Sequence, residues 1–332
     1  MLRSIYTTTL LTGGLLLSIF AFGQQPAQFS QFQLNQLYFN PAAAGADGAT
    51  RFQLVHRTQY SGYQGTFDEG GAPTTQFFSA SVPIKNLGVG FTAYNDKIGA
   101  LTNQNFQLAA AYRLALGNGT LALGASAGIY RMALNYNLLR PSEPGDPLIA
   151  TGVVGEIHPD VSVGIRYETS GYYLGVSVNH LLPSKYKLGT EQATNPLVPT
   201  YYVNGGVNLE VGYLFQVQPF ALVKSDLASY SAEGGAMVTY NQRYWAGASY
   251  RLQDAVILMA GINLLQNQSL RLSGAYDIVT GAASVKAPSS FEVLLSYRLP
   301  APKLGKKTIV RTPRFRFGKN VATKTSLTEY LA

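Results

Sequence analysis

The chain has 332 residues, no cysteine, 22 tyrosines, 34 glycines and a formal net charge of +8, with only 13% of residues charged. Without cysteine, disulfides, thiol nucleophiles and thiolate metal sites are excluded. The basic excess does not point to nucleic acid. Lys303, Lys306, Lys307, Arg311, Arg314, Arg316, Lys319 and Lys324 face Glu329 alone, Arg3 supplies the rest, and residues 24–300 are neutral on balance.

Residues 1–23 read as a secretory signal peptide. Arg3 gives the positive start, residues 10–20 a short apolar core, and Ala21-Phe22-Gly23 the small residues that a signal peptidase needs. Thr12, Gly13 and Gly14 interrupt that core, which is short for a membrane span; an N-terminal anchor is the alternative. Residues 24–48 differ from everything after them. Phe29, Phe32, Leu34, Leu37, Tyr38 and Phe39 precede Asn40-Pro41-Ala42-Ala43-Ala44-Gly45. Asn40-Pro41 favours a turn, and the small run allows close backbone packing. So apolar a stretch is expected to fold into a barrel mouth as a plug or lid, with an extra first strand as the alternative.

Alternation then takes over. Val256, Leu258, Ala260, Ile262 and Leu264 alternate with Ile257, Met259, Gly261 and Asn263, and Phe291, Val293, Leu295, Tyr297 and Leu299 with Glu292, Leu294, Ser296 and Arg298. Successive strand side chains point to opposite faces, so one face is apolar and the other mostly small, polar or charged. The spacing predicts strands near 49–60, 74–84, 87–97, 101–116, 120–136, 160–169, 171–180, 200–216, 218–225, 230–240, 243–252, 254–264, 268–279 and 289–299. A soluble sandwich would alternate too. Export, tyrosine content and loop rhythm favour a transmembrane antiparallel β-barrel over residues 49–300, with fourteen strands and twelve or sixteen left open. Tight turns such as Lys85-Asn86 and Asn241-Gln242 follow even-numbered strands. The long connections 61–73, 137–159, 181–199 and 280–288 follow odd-numbered ones. With both termini periplasmic, the long loops fall outside the cell.

Residues 301–332 form a basic periplasmic tail broken by Pro302, Gly305, Pro313 and Gly318. It reads either as a solvated terminus or as a strap in which Arg311, Pro313, Arg314, Phe315, Arg316 and Phe317 bind a partner, adding as a strand.

The inward set of the alternation includes Arg113, Arg166, Glu168, Glu210, Arg243, Arg251, Arg271, Asp277, Glu292 and Arg298. A single Arg on the lipid face costs about 2–4 kcal/mol at the midplane, so these charges belong to the lumen. They either pair to hold wall and plug together or line a polar channel. Chemistry is sparse. His56, His158 and His180 have no metal-binding spacing. Gly124-Ala125-Ser126-Ala127-Gly128 matches the Gly-x-Ser-x-Gly pattern but lies within a strand, whereas a nucleophile elbow needs a following helix. Asp68-Glu69 read as solvated loop carboxylates, and His180, ending a strand, as an interface residue. No enzyme activity and no cofactor are expected.

Phe29-Ser30-Gln31-Phe32; Leu37 to Gly45; Gly71-Ala72-Pro73-Thr74-Thr75-Gln76; Leu87-Gly88-Val89-Gly90-Phe91; Asn95-Asp96-Lys97-Ile98-Gly99; His158-Pro159-Asp160; Phe291 to Leu299; and Thr312-Pro313-Arg314-Phe315, taken in this order, resemble the PorP/SprF family of type IX secretion membrane proteins. Tyr60-Ser61-Gly62-Tyr63-Gln64-Gly65 stands where that family usually carries an aromatic-rich Trp-Gly pattern. The resemblance implies a fatty-acid-channel-like barrel and a non-enzymatic outer-membrane component of type IX secretion. That component would bind or anchor a secreted adhesin or other cargo, in adhesin export or gliding motility, and link to periplasmic ring or lipoprotein components. The alternative is an outer-membrane channel for a hydrophobic or small polar solute. Membrane lipid is a partner in either case, and nucleic acid in neither.

Overall fold

A computed structural model describes residues 26–63, 70–140, 151–189, 194–265, 267–280 and 289–300. The expected signal segment 1–23, Asp68-Glu69 and residues 301–332, with Arg311, Pro313, Arg314, Phe315, Arg316 and Phe317, lie outside the described residues. The strands are β1 (Ala49–Thr58), β2 (Thr74–Ile84), β3 (Leu87–Ile98), β4 (Leu101–Leu116), β5 (Gly119–Asn135), β6 (Val153–Glu168) and β7 (Tyr172–Asn179). They continue as β8 (Thr200–Val207, resumed after Asn208 as Leu209–Val211), β9 (Phe215–Ser225), β10 (Tyr230–Tyr240) and β11 (Tyr244–Arg251). Then come β12 (Ala255–Leu264), β13 (Leu270–Val279) and β14 (Ser289–Pro300). Each pairs antiparallel with its neighbours, and β14 closes on β1 from Ala49 opposite Pro300 to Thr58 opposite Phe291. A closed ring leaves no open edge, which is the condition for crossing lipid with strands. Among the described residues the barrel counts fourteen strands.

The two faces are inverted relative to a soluble protein. Leu54, Leu108, Ile165, Leu174, Val203, Leu258 and Val293 point outward, and Leu108 is 65% exposed. In water each would forgo about 25 cal/mol per Å2 of apolar burial; in lipid the same belt is solvated by acyl chains. The inward set is buried: Gln53, Arg57, Ser79, Asp96, Asn105, Asp160, Asn204, Glu233, Ser249 and Glu292. Asn241 (φ 47) and Gln242 (φ 55) both adopt positive φ between β10 and β11, as the two-residue hairpin turn that follows strand twist requires.

Two departures from the sequence expectation stand out, and the strand alternative for the N-terminal segment falls. β6 begins at Val153 rather than near residue 160, because the whole of β5 is available to pair with it, from Asn135 opposite Val153 to Thr120 opposite Glu168. β7 covers only residues 163–168 of β6, and a short hairpin of Ser184–Lys187 and Thr194–Leu197, placed in a loop by the sequence reading, packs at the uncovered end. Residues 32–43 form three short helical turns, Phe32–Leu34, Gln36–Phe39 and Pro41–Ala43, rather than a further strand. Phe29, Phe32, Tyr38, Phe39, Ala42 and Ala44 are all buried, and their neighbours are inward-facing barrel residues.

Candidate functional site

The barrel interior is held around residues 28–45 by two polar grips. In the first, Arg57 of β1 donates from Nη2 to Asp277 Oδ2 (2.8 Å) and lies 3.7 Å from Glu292. Its other Nη bonds the Ser30 hydroxyl, which in turn donates to Asp277 Oδ1 at 2.6 Å. The backbone N–H groups of Ser30 and Gln31 donate to the two Glu292 oxygens at 2.7 and 3.1 Å. Arg251 donates to Glu233 at 2.9 Å, to Asp254 at 3.1 Å and to the Phe29 carbonyl at 3.2 Å. Arg57, Asp277 and Glu292 are each 2% exposed or less, so desolvation is tolerated only because every charge has partners.

The second grip holds the Asn40-Pro41-Ala42-Ala43-Ala44-Gly45 run. Asn40 Nδ2 donates to the carbonyls of Ile165 (3.0 Å) and Val176 (3.3 Å), opposed residues on β6 and β7, while its Oδ1 accepts from Ala42 N–H at 2.8 Å. Arg113 donates to the Ala44 carbonyl at 3.0 Å and pairs with Glu168, which Arg166 also meets at 2.9 Å. Gly45 donates to Ser81 Oγ at 2.8 Å with φ of +68°. The wall admits this backbone because it is glycine there. A Cβ on Gly88 would overlap the Ala44 carbonyl, one on Gly124 the Ala42 amide, and one on Gly164 the Asn40 carboxamide. Gly88→Val is therefore expected to leave the barrel closed but to expel residues 42–45. In a chain without native cysteine, an Ala42→Cys probe tests this. It should resist maleimide in the parent and react in the Gly88→Val background; equal protection in both would show that the contact is not required.

Between the grips, aromatic rings fill the bore. Phe29 meets Tyr38 (4.7 Å) and Phe77 (5.4 Å), Phe32 meets Phe220 (5.3 Å), and Phe39 meets Tyr202 (5.5 Å). Tyr38, Tyr94, Tyr130 and Tyr186 continue the chain at 5.7, 6.3 and 5.9 Å to the outlying hairpin. Edge-to-face pairs contribute about 0.5–1.5 kcal/mol each beyond area burial. Beside Tyr130, Asp160 is fully buried and accepts from Asn105 (2.8 Å), Gln107 (2.6 Å) and His180 Nδ1 (2.9 Å). On the side of the termini the bore stays open as a polar cavity of about 570 Å3, bordered by Gln33, Gln53, Gln218, Asn263, Arg271 and Arg298.

Of the residues singled out in the sequence, Asn40, Pro41 and Gly45 meet Arg113, Arg166 and Glu168 in the second grip. Arg251, Asp277 and Glu292 converge in the first. Arg271 and Arg298 border the cavity. Glu210 is exposed at the rim, past the break at Asn208 and opposite Gln216, which borders the cavity. Arg243 is a correction: it is exposed in the β10–β11 turn with its guanidinium over Tyr244 at 5.6 Å. His180 is also corrected, since it is buried on Asp160 rather than placed at an interface. Ser126 of the Gly-x-Ser-x-Gly match donates to Gln107 at 2.6 Å. Arg57 and Glu233 were not among the residues singled out in the sequence, and Asp160 entered only within the His158-Pro159-Asp160 stretch, without a role. Their inward parity within β1, β6 and β10 was the available signal. Among the described residues, no group of three or more His, Asp or Glu side chains could hold a metal ion.

A family model described as type IX secretion system membrane protein PorP/SprF matches residues 21–297. No curated protein matches. Among solved structures, the CymD monoaromatic hydrocarbon channel is 15% identical with a TM-score of 0.53, over 84% of this chain and 95% of that one. The Ralstonia pickettii toluene transporter TbuX is 11% identical with a TM-score of 0.48, over 79% of this chain and 92% of that one. The P. putida toluene transporter TodX is 12% identical with a TM-score of 0.48, over 80% and 94%. The likeness to CymD is one of fold. The expectation of an adhesin-binding or adhesin-exporting component, and of a part in gliding motility, is corrected: the solved barrel that this fold resembles is a monoaromatic hydrocarbon channel. What stands is an antiparallel barrel of the outer membrane.

Proposed function

The chain belongs to the PorP/SprF family of type IX secretion system membrane proteins, and we propose that it acts as a non-enzymatic outer-membrane channel for a small solute, closed by its own N-terminal segment as a plug. The family description associates it with the secretion system; solute passage is the activity assigned to the barrel itself. The observation that carries this reading is the bore. Around the cavity of about 570 Å3 on the side of the termini its wall is polar and charged, and the rest of the bore, where Phe77, Tyr94, Tyr202 and Phe220 face inward, is filled by residues 28–45, which are no part of the wall and are held to it by hydrogen bonds and ring contacts. A purely structural barrel would need neither the cavity nor a separable stopper.

Both ends of the closed sheet, Ala49 and Pro300, share one rim, which we assign to the periplasm. Residues 1–23 then act as the export signal, and residues 301–332 as a basic tail in the same compartment. Planar-bilayer recording tests the channel. The mature chain is expected to be mostly closed, and a form lacking residues 24–45 to conduct steadily. If the truncated barrel, shown to be folded by heat-modifiable migration, conducts no more than its parent, the channel reading fails.

A further inference from the structure

We infer that the outer wall over β1–β5 carries a binding site for one membrane lipid with a phosphate-bearing headgroup, near the rim away from the termini. This goes beyond solute passage and does not rest on it. Five outward side chains, His56, Gln76, Asn95, Gln104 and Arg131, stand opposite one another on adjacent strands and form a single rung across β1–β5. Three hydrogen bonds join them. Arg131 Nη1 donates to Gln104 Oε1 at 3.1 Å, Gln104 Nε2 to Asn95 Oδ1 at 3.0 Å, and Asn95 Nδ2 to Gln76 Oε1 at 2.9 Å. A guanidinium can only donate, so it fixes the Gln104 oxygen toward itself, and each amide passes the same polarity to the next. Such chains strengthen cooperatively, and this one ends on the Gln76 NH2 group as a polarised donor.

The rung lies where hydrocarbon ends. Below it on β4, Phe106, Leu108, Tyr112, Leu114 and Leu116 are exposed on the outward face. From 106 to 116 the strand advances about 34 Å, and a tilt of about 40° makes that about 26 Å of height, matching the apolar band of about 25 Å on an outer-membrane barrel. One rung further out stand Thr58, Thr74, Lys97, Thr102 and Ala133. Lys97 and Arg131 thus flank β4, and neither rung holds a carboxylate. Directly beneath the amides the wall is concave. Ala93 stands between Phe78 and Phe106 in the row below, and a recess of about 440 Å3 opens there, bordered also by Leu54, Val293 and Leu295. His56, Gln76 and Asn95 of the rung border the same recess. An apolar hollow topped by amide donors and two cations has the polarity of a lipid: an acyl chain over Ala93, ester oxygens on the amide row, phosphate on Arg131 and Lys97. Charge complementarity names the headgroup, because guanidinium groups bind phosphate through paired N–H donors. A soluble anion would leave the hollow unfilled, and a neutral lipid would leave the two cations unused.

Native mass spectrometry of the full mature protein in detergent tests this. The probes are dioleoyl phosphatidic acid and dioleoylglycerol, which share their chains and differ in the phosphate. Wild type is expected to retain one phosphatidic acid, about tenfold more tightly than the diacylglycerol, and Lys97→Gln/Arg131→Gln to lose about that factor. Ala93→Phe fills the hollow, keeps both cations and should cost about fivefold. Lys85→Gln/Arg243→Gln removes the same charge from exposed turns at the opposite rim and should bind as wild type does. Equal retention of both lipids by wild type, or wild-type affinity in either site variant, overturns the proposal. So does an equal loss in the Lys85/Arg243 variant, which would mean attraction by net charge alone. Heat-modifiable migration shows whether each variant is folded; should the double variant not fold, Ala93→Phe decides. Conductance plays no part in these readouts, so the channel reading stands or falls separately.

Discussion

Arg57→Ala is expected to destabilise the barrel by about 3–5 kcal/mol, the range for removing one partner of a buried charge pair, and to free residues 28–31 from the wall. Arg57 is 2% exposed and touches Asp277, Glu292 and the Ser30 hydroxyl at once. Its loss leaves two carboxylates in a closed bore with their remaining partners, Arg251 and the N–H groups of Ser30 and Gln31. The cost arises from orphaned charge, not from the intrinsic worth of the pair. Combining Arg57→Met with Asp277→Asn and Glu292→Gln should therefore recover much of it. Denaturant titration of detergent-folded protein measures the loss. A Ser30→Cys probe measures release, reacting with maleimide faster in Arg57→Ala than in the parent. Unchanged unfolding and unchanged labelling together would mean that the first grip does not hold residues 28–31.

Elsewhere on the wall, Asp160→Ala should be the other costly change. Three donors, from Asn105, Gln107 and His180, lose a shared acceptor in a fully buried site, at about 1–3 kcal/mol for each one left unsatisfied. Asp160→Asn keeps an acceptor oxygen and should cost less. The effect should spread to the hairpin of Ser184–Lys187 and Thr194–Leu197, because His180 and Tyr186 both pack on Tyr130. Lys185 and Lys187 are exposed there, so trypsin should cut the hairpin faster in Asp160→Ala on intact cells. A cleavage rate equal to that of the parent would separate the Asp160 cluster from the hairpin.

Legibility differed by element. Strands with a lipid-facing apolar set, such as β12 and β14, were readable to within a residue or two, because one face meets hydrocarbon and period-2 alternation is then compulsory. The start of β6 was not legible because Glu156 and His158 alternate with only Val153, Gly155 and Ile157, too few apolar residues for a pattern. The Asn40-Pro41-Ala42-Ala43-Ala44-Gly45 run announced close packing, but its partners Gly88, Gly124 and Gly164 are spread over 76 positions of sequence and meet only when β3, β5 and β6 curve around one bore.

The sequence by itself determined a closed antiparallel barrel, its inward charged set and a segment too apolar for water, because these follow from local periodicity and composition against a two-sided solvent. Only the tertiary structure decided which charges meet. Ser30 and Glu292 lie at opposite ends of the chain. Arg51 and Arg298 oppose each other only because the last strand returns to the first. Ring closure brings such residues together, and no local pattern encodes which ones they will be.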